Sequence, residues 1–312
     1  MTQPDIVAST RLRAHSGAPR RLRSPWANKK LIFGSVVLVG LFVMQWVTPL
    51  FMSYDGALIG ASTVNMVPFG VEVNAALGFF PNEPGHLLGT DSQGRDIFTA
   101  LLVGIPQTLN VGLIGAGLGV VAGALLGFTA GMRPGRVDSL ICLLTDVALS
   151  IPGLAVLVVV ASYITDVGVV GLGVIMALMA WPIPARVFRS QVLSLRESGY
   201  VAMAKLSGSS VLSIIVREMV PNLIPYIGAT FVQTMSGVIL VVTGLEALGL
   251  GNGRYPSLGG MISAALEGTA ILRGMWWWWL CPVAVLIAIF LSLLSVTLGL
   301  DQVVNPKLRK TS

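Results

Sequence analysis

Long apolar stretches alternate with short polar segments along most of this chain. Six of the stretches hold roughly 20 mainly apolar residues, the length that an α-helix needs to cross the hydrocarbon core of a bilayer. They are Leu31–Met52, Gln107–Ala130, Leu140–Ile164, Val167–Phe188, Ile224–Leu245 and Trp278–Leu300. The pattern predicts an all-α membrane protein with six transmembrane helices.

The second stretch is rich in glycine. Its glycines are Gly112, Gly115, Gly117, Gly119, Gly123 and Gly127. Small residues at this density let the backbones of neighbouring helices approach closely. We therefore expect this helix to be buried among the others.

Composition supports a membrane protein. Only 11% of the 312 residues are charged and the mean hydropathy is +0.82, whereas a soluble domain carries about 25% charged residues. A net charge of +6 could suit nucleic acid. However, the basic residues flank the apolar stretches, as they do in membrane proteins. We expect membrane lipid as a partner and no nucleic acid.

The basic residues also predict the orientation. If the N-terminus is cytoplasmic, all but three of the 20 Lys and Arg residues fall in cytoplasmic segments; the exceptions are Arg95, Arg254 and Arg273. Cytoplasmic segments are the ones that carry an excess of Lys and Arg. The sequence therefore predicts that both termini are cytoplasmic.

This topology divides the chain into five parts. They are a basic cytoplasmic tail (1–30), the first transmembrane helix (31–52), an extracytoplasmic loop (53–100), a five-helix core (101–300) with a cytoplasmic loop at 189–220, and a cytoplasmic C-terminal tail (301–312).

The cytoplasmic segment 196–220, called the elbow below, has the pattern of two short helices. Ser198–Ser207 is typical of the first helix, and Gly208 suits the left-handed residue that ends it. Ser209 or Ser210 can cap a second helix over Val211–Val220, and Pro221 suits the first turn of the next helix. We expect the elbow to present Tyr200, Val201, Ala204 and Lys205 to a soluble partner; the alternative is a helix that rests on lipid headgroups.

A second polar motif, residues 86–96, lies just before the second predicted helix and is called the signature turn below. It reads His86-Leu87-Leu88-Gly89-Thr90-Asp91-Ser92-Gln93-Gly94-Arg95-Asp96. Two glycines with an Asp/Arg/Asp set can form a tight turn whose charges pair with one another. The turn is either purely structural or shapes the outer mouth of the molecule.

Asp146 is an acidic residue inside the third apolar stretch. A carboxylate at this depth costs about 2.5–3.5 kcal/mol, so it should face protein or water. We expect it to pair with an Arg or with backbone groups at a helix end; substrate contact and proton relay are the alternatives.

Three further features are read from residue type. The run Trp276–Trp279 predicts an aromatic belt at the membrane surface, with substrate stacking as the alternative. Cys142 and Cys281 lie in apolar stretches and are interpreted as small hydrophobic residues. The histidines, His15 and His86, are far apart, so no metal site is predicted.

The signature turn resembles the His-x-x-Gly-Thr-Asp-x-x-Gly-Arg-Asp motif of one of the two permeases in dipeptide, oligopeptide and nickel ABC importers. The elbow is similar to the coupling loop of such permeases at Gly208 and at Val220-Pro221-Asn222, although Ala202 stands where the family has Glu. Weaker matches are Asp138, Asp146 and Pro152, the stretch 243–251 and the tail 305–309. Together they run from about Leu31 to Arg309.

The resemblance implies a type I ABC-importer permease fold and a function. The chain would be a permease subunit in the bacterial inner membrane that forms half of a translocation pathway, for di- or oligopeptides before nickel, glutathione, opines or oligosaccharides. Its implied partners are a second homologous permease, two ATP-binding subunits and an extracytoplasmic substrate-binding protein, which the signature turn could contact. The residues implied in ATPase coupling are Tyr200, Val201, Ala202, Ala204, Lys205 and Gly208.

The chain has no Gly-x-x-x-x-Gly-Lys-Ser/Thr phosphate loop and no visible nucleophile–base set. We therefore expect a non-catalytic subunit without a cofactor of its own, with ATP and Mg²⁺ on the partner ATPases. A secondary transporter is a distant alternative, because it would need inverted repeats and several intramembrane ionisable residues.

Overall fold

The computed structural model describes residues 28–51, 53–74, 77–163, 168–251 and 256–304. The predicted tails and Arg254 therefore lie largely outside the described residues. The helices are α1 (Lys29–Phe51), α2 (Ile97–Met132), α3 (Arg136–Ser150), α4 (Gly153–Tyr163), α5 (Val169–Ala180), α6 (Pro182–Arg196), α7 (Gly199–Leu206), α8 (Val211–Ile214), α9 (Val220–Ala247), α10 (Leu258–Glu267) and α11 (Trp276–Val304). The five-residue π-helical turn Ile215–Met219 joins α8 to α9.

The all-α class is confirmed, but the third and fourth predicted spans are broken. α1, α2, α11 and the continuous segment 211–247 are each long and apolar enough to cross a bilayer. The angle between α3 and α4 is 71° and that between α5 and α6 is 48°, and each pair has the length and composition of a broken span or a re-entrant loop. The described residues thus contain four unbroken candidate spans, or up to six if each bent pair is one span.

Proline explains both breaks. Ile151 precedes Pro152 and has an extended backbone, with ψ at 126°, because the proline ring disfavours the helical conformation in the residue before it. Pro182 stands in the first turn of α6, where its missing N–H and its ring interrupt the hydrogen bonding of the preceding helix.

The second helix begins earlier than its predicted apolar stretch, Gln107–Ala130. α2 begins at Ile97, inside the predicted loop 53–100, because Asp96 caps it. Below, the end of the bundle that holds residues 53–96 is called the loop end, and the end that holds α7 is called the elbow end.

The glycine-rich α2 is the centre of the bundle, as predicted. A Cβ at Gly123 would lie 2.8 Å from the Trp181 carbonyl oxygen, and a Cβ at Gly127 would lie 2.6 Å from the Ala185 carbonyl oxygen. The backbones of α2 and α6 therefore touch without intervening side chains, the close approach that small residues permit in membranes.

α1 is held by α11. A Cβ at Gly34 would lie 2.5 Å from the Ser292 carbonyl oxygen, and one at Gly299 would lie 2.7 Å from Leu31 Cβ. At the end of this contact the Asn28 side chain donates a hydrogen bond to Gln302 Oε1 at 2.7 Å. The two outermost described helices of the sequence are thus adjacent in the fold.

The tryptophan run does not form the predicted aromatic belt. Trp277 and Trp278 are buried, at 2% and 1% exposure, and only Trp276 has a largely exposed ring. Trp277 meets Phe79 edge to face, with ring centroids 5.6 Å apart. The two buried rings fill the space under the segment 53–96 and α10, so they hold the loop end to α11.

Candidate functional site

The elbow contains a well-formed turn. α7 begins after Ser198 and ends at Leu206. Gly208 has a φ of +76°. Its N–H bonds to the Lys205 carbonyl at 3.0 Å, and the Ser209 N–H bonds to the Ala204 carbonyl at 3.1 Å. This is the Schellman arrangement, which requires a left-handed residue and therefore favours glycine.

The second half of the elbow differs from the prediction. Ser210 caps α8 by accepting a hydrogen bond from the Ser213 N–H at 3.2 Å. α8 then continues through the π-helical turn into α9, with Pro221 in the first turn of α9. The predicted helix Val211–Val220 is therefore the start of the next span, because nothing in its sequence stops it before Pro221.

The prediction that the elbow presents Val201 to a partner is wrong. Its side chain is fully buried in a hydrophobic cluster with Phe128, Met132, Val192 and Ile214. α7 turns its one β-branched residue towards the bundle, where an apolar side chain gains most from burial. Val201 therefore anchors the elbow instead of forming its outer face.

The outer face of α7 is more apolar than the sequence interpretation allowed. Met203 and Leu206 are 65% and 83% exposed, and Ala202 and Lys205 are also exposed. The i, i+3 spacing of Met203 and Leu206 is the sequence signal that could have identified this face. Tyr200 is also exposed, and Ala204 is half-buried.

The signature turn is held by buried hydrogen bonds. Thr90 is fully buried; its hydroxyl donates to the Thr63 carbonyl at 2.6 Å and accepts from the Met66 N–H at 2.9 Å. Asp91 Oδ1 accepts from the N–H groups of Gln93 and Arg95, both at 2.8 Å. Burial raises the pKa of the Asp91 carboxyl, and these hydrogen bonds act in the opposite direction.

The Asp/Arg/Asp set of the turn does not form the side-chain ion pairs that the sequence predicted. Asp96 Oδ1 lies 3.0 Å from His86 Nδ1, and Asp96 Oδ2 accepts from the Thr99 N–H at 2.8 Å, which caps α2. Arg95 contacts Asp91 through its backbone N–H, and its guanidinium forms no ion pair with a residue in the described ranges. Because the turn is short, the backbone N–H of Arg95 lies closer to the Asp91 carboxylate than the Arg95 guanidinium does.

Both glycines of the turn are required by its shape. Gly89 and Gly94 have φ values of +72° and +73°. A Cβ on Gly89 would lie 2.9 Å from the Val67 carbonyl carbon, and one on Gly94 would meet the Ser62 carbonyl oxygen. The geometry thus favours the structural interpretation of this motif, which fixes the start of α2 at the loop end.

The two hydrogen bonds of the Thr90 hydroxyl lead to a testable prediction. Thr90→Val keeps the shape of the side chain but leaves the Thr63 carbonyl and the Met66 N–H without their partner, at about 1–3 kcal/mol for an unsatisfied buried group. We expect faster proteolysis within residues 53–96 of the purified protein. Thr90→Ser retains the hydroxyl and serves as the control; equal cleavage of the valine variant and the wild type would contradict the assignment.

Two ion pairs connect α3 to α6. Asp146 pairs with Arg186, which confirms the predicted arginine partner. Asp138 binds Arg189 at both oxygens, with Nε–Oδ1 at 2.5 Å and Nη2–Oδ2 at 2.8 Å. Such forked pairs are geometrically specific. The second pair was not predicted; the signal was the i, i+3 spacing of two arginines on α6.

Glu246 was also missed. It is 6% exposed and lies at the loop end of α9. A Cβ at Gly259 would lie 2.6 Å from its Oε2, so the carboxyl packs directly against the first turn of α10. A single acid at the end of the fifth apolar stretch was the available signal.

Comparison with known proteins gives one family. A family model described as "Binding-protein-dependent transport system inner membrane component" matches residues 119–310. The dipeptide transport system permease protein DppC of Bacillus subtilis is 29% identical over 314 residues, covering 99% of this chain and 90% of the relative. The oligopeptide transport system permease protein OppC of Bacillus subtilis is 28% identical, covering 91% and 88%, and OppC of Lactococcus lactis is 27% identical, covering 90% and 91%.

Proposed function

Because the chain belongs to the family of binding-protein-dependent transport system inner membrane components, we propose that it forms half of the translocation pathway of an ATP-driven peptide importer. Relatives named as dipeptide and oligopeptide permeases align with nearly the whole chain, which supports peptides as the cargo. The other half of the pathway is a second, homologous permease. A substrate-binding protein delivers the peptide from outside.

The orientation follows from charge. Lys205 and Arg217 lie in the elbow, and Arg133 and Arg136 lie at the adjoining end of α2 and α3. An excess of basic residues favours the cytoplasmic side. We therefore assign the elbow end and both termini to the cytoplasm, and the loop end to the outside.

The observation that carries the proposal is the outer face of α7. Met203 and Leu206 are exposed beside Lys205, while Val201 fixes the same helix to the ends of α2 and α6. A rigidly anchored helix with an apolar face suits docking into a groove of a soluble partner. We assign this partner as an ATP-binding subunit, which carries the ATP, the Mg²⁺ and the hydrolysis.

This anchoring also suggests how force reaches the pathway. Val201 lies in one buried cluster with Val192 of α6 and Met132 of α2, and Arg196 donates to the Gly131 carbonyl at 3.3 Å. A displacement of α7 therefore moves the ends of both helices together. In the proposed cycle, closure of the ATPases displaces the elbow, and the helices rock between inward-open and outward-open states.

Co-purification tests the function. The tagged chain is expressed with its chromosomal neighbours, solubilised gently and assayed for bound subunits, ATP hydrolysis and uptake of labelled dipeptides in proteoliposomes. We expect recovery of a second permease and ATP-binding subunits, with hydrolysis stimulated by a substrate-binding protein. Recovery of the chain alone, stable and without ATPase activity, would contradict the proposal and favour a secondary transporter.

A further inference from the structure

A cavity of about 480 Å³ lies between α4, α5, α6 and α9. This volume is within the range of small-ligand sites. Leu154 of α4 and Ile183 of α6 line it and are 50% and 62% exposed. In the single chain the cavity therefore has an open side, which the second permease of the proposed importer would close.

The cavity wall is uncharged. Its lining residues include no Asp, Glu, Lys, Arg or His in the part of the chain that the structure describes. The polar side chains come from one face of α9, at Thr230, Gln233 and Thr234. Met176 and Met179 of α5 also line the cavity, and their flexible thioethers adapt to ligands of different shape.

Gln233 is the unusual member of this wall. It lies well inside the candidate span 211–247 and is exposed in the single chain. Thr234 satisfies its own hydroxyl by donating to the Thr230 carbonyl at 2.8 Å, whereas the Gln233 carboxamide makes no hydrogen bond to any described residue. A polar group without a partner costs several kcal/mol in a membrane, and polar residues within spans mark transport pathways.

A carboxamide has the chemistry to match a peptide group. Its NH₂ group donates and its oxygen accepts, without carrying charge. A backbone amide of the cargo offers the complementary C=O and N–H whatever its side chains are. An uncharged wall without imidazole or carboxylate groups is a poor environment for a free divalent cation such as nickel.

We infer that Gln233 hydrogen-bonds the peptide backbone of the cargo during its passage, while Met176 and Met179 accommodate the cargo side chains. This inference rests on the proposed importer function and adds a specificity-determining residue to it. The contact selects for amide groups and not for sequence. An importer of varied short peptides needs this kind of selectivity.

The test compares Gln233→Leu with wild type in the complete complex reconstituted in proteoliposomes. Leucine removes both hydrogen-bonding groups at similar size. We expect dipeptide uptake to fall about 3- to 10-fold, the loss that corresponds to one hydrogen bond, while ATP hydrolysis stimulated by the binding protein stays within about twofold of wild type. Ser236→Ala is the matched control, because Ser236 bonds to the Val232 carbonyl of its own helix and does not line the cavity.

An N-methylated dipeptide, which lacks the backbone N–H, separates contact with the cargo from general damage. Gln233→Leu should lower its uptake less than that of the unmodified dipeptide. Equal losses for both peptides, unchanged uptake, or loss of stimulated hydrolysis together with uptake would each overturn the inference. In the last case Gln233 serves assembly. A wild-type complex that hydrolyses ATP but takes up no peptide would overturn the proposed function as well as this contact.

Discussion

Gly208→Val is expected to uncouple ATP hydrolysis from peptide transport in the proposed complex. Gly208 has a φ of +76° with nothing within 4 Å of an added Cβ, so the effect comes from backbone strain and not from a clash. The left-handed conformation costs a residue with a Cβ roughly 1–2 kcal/mol, and a β-branched residue is a clear outlier there. The turn would rearrange and displace Met203 and Leu206 from the partner surface.

The measurement is peptide uptake together with substrate-stimulated ATP hydrolysis. A penalty of this size lowers the equilibrium constant for forming the turn by about 5- to 30-fold, and coupled transport should fall while membrane insertion is unchanged. Gly199→Val is the matched control, since Gly199 lies in the same helix and also has open space around it, without a positive φ. Gly208→Asn should retain more activity, because Asn tolerates this region. Normal uptake and stimulation in Gly208→Val would refute the coupling role.

Gly127→Ala is expected to destabilise the whole bundle by about 1–3 kcal/mol, the usual cost of overpacking. The new Cβ would lie 2.6 Å from the Ala185 carbonyl oxygen and 3.0 Å from the Arg189 nitrogen, both backbone atoms of α6. α6 must then move away from α2, which also disturbs the Asp138–Arg189 pair.

Thermal unfolding of the purified chain, followed by tryptophan fluorescence, measures this effect. Gly117→Ala provides a control in the same helix, since a Cβ there meets nothing within 4 Å. It should leave the unfolding temperature unchanged or raise it slightly, because alanine is the better helix former. Equal unfolding temperatures for the two variants would contradict the close packing of α2 against α6.

The order of the apolar stretches could be predicted from the sequence because hydropathy reports burial in lipid directly, but α2 and the segment 211–247 begin well before their predicted starts. The bends at Pro152 and Pro182 could not be predicted in this way, since the mean hydropathy of a stretch carries no information about the direction of the helix axis. Burial of Trp277 was missed for a related reason. A tryptophan at the end of a span has the same sequence pattern whether it faces headgroups or lies under a folded loop, and only Phe79, far away in the sequence, decides between the two.

The candidate site was predictable where the signal was local. Gly208 and Ser210 act through their own turns, and the structure has both turns as expected. Val201 was placed on the wrong face because an eight-residue helix has too few turns to show which side meets the bundle. Asp146 needed an arginine on energetic grounds, but Arg186 lies 40 positions away, and only the fold brings them together.

The contact between α1 and α11 has a consequence for biosynthesis. Asn28 and Gln302, which close this contact, are 274 positions apart. At about 5–20 residues per second, the ribosome delivers α11 roughly 14 to 55 s after α1 has entered the membrane. During this interval α1 lacks its main helical neighbour, and Trp277 is not yet present to support the segment 53–96. Until α11 is made, α1 must therefore lie in lipid or beside the insertion machinery. Truncation of α11 should leave α1 exposed to membrane proteases.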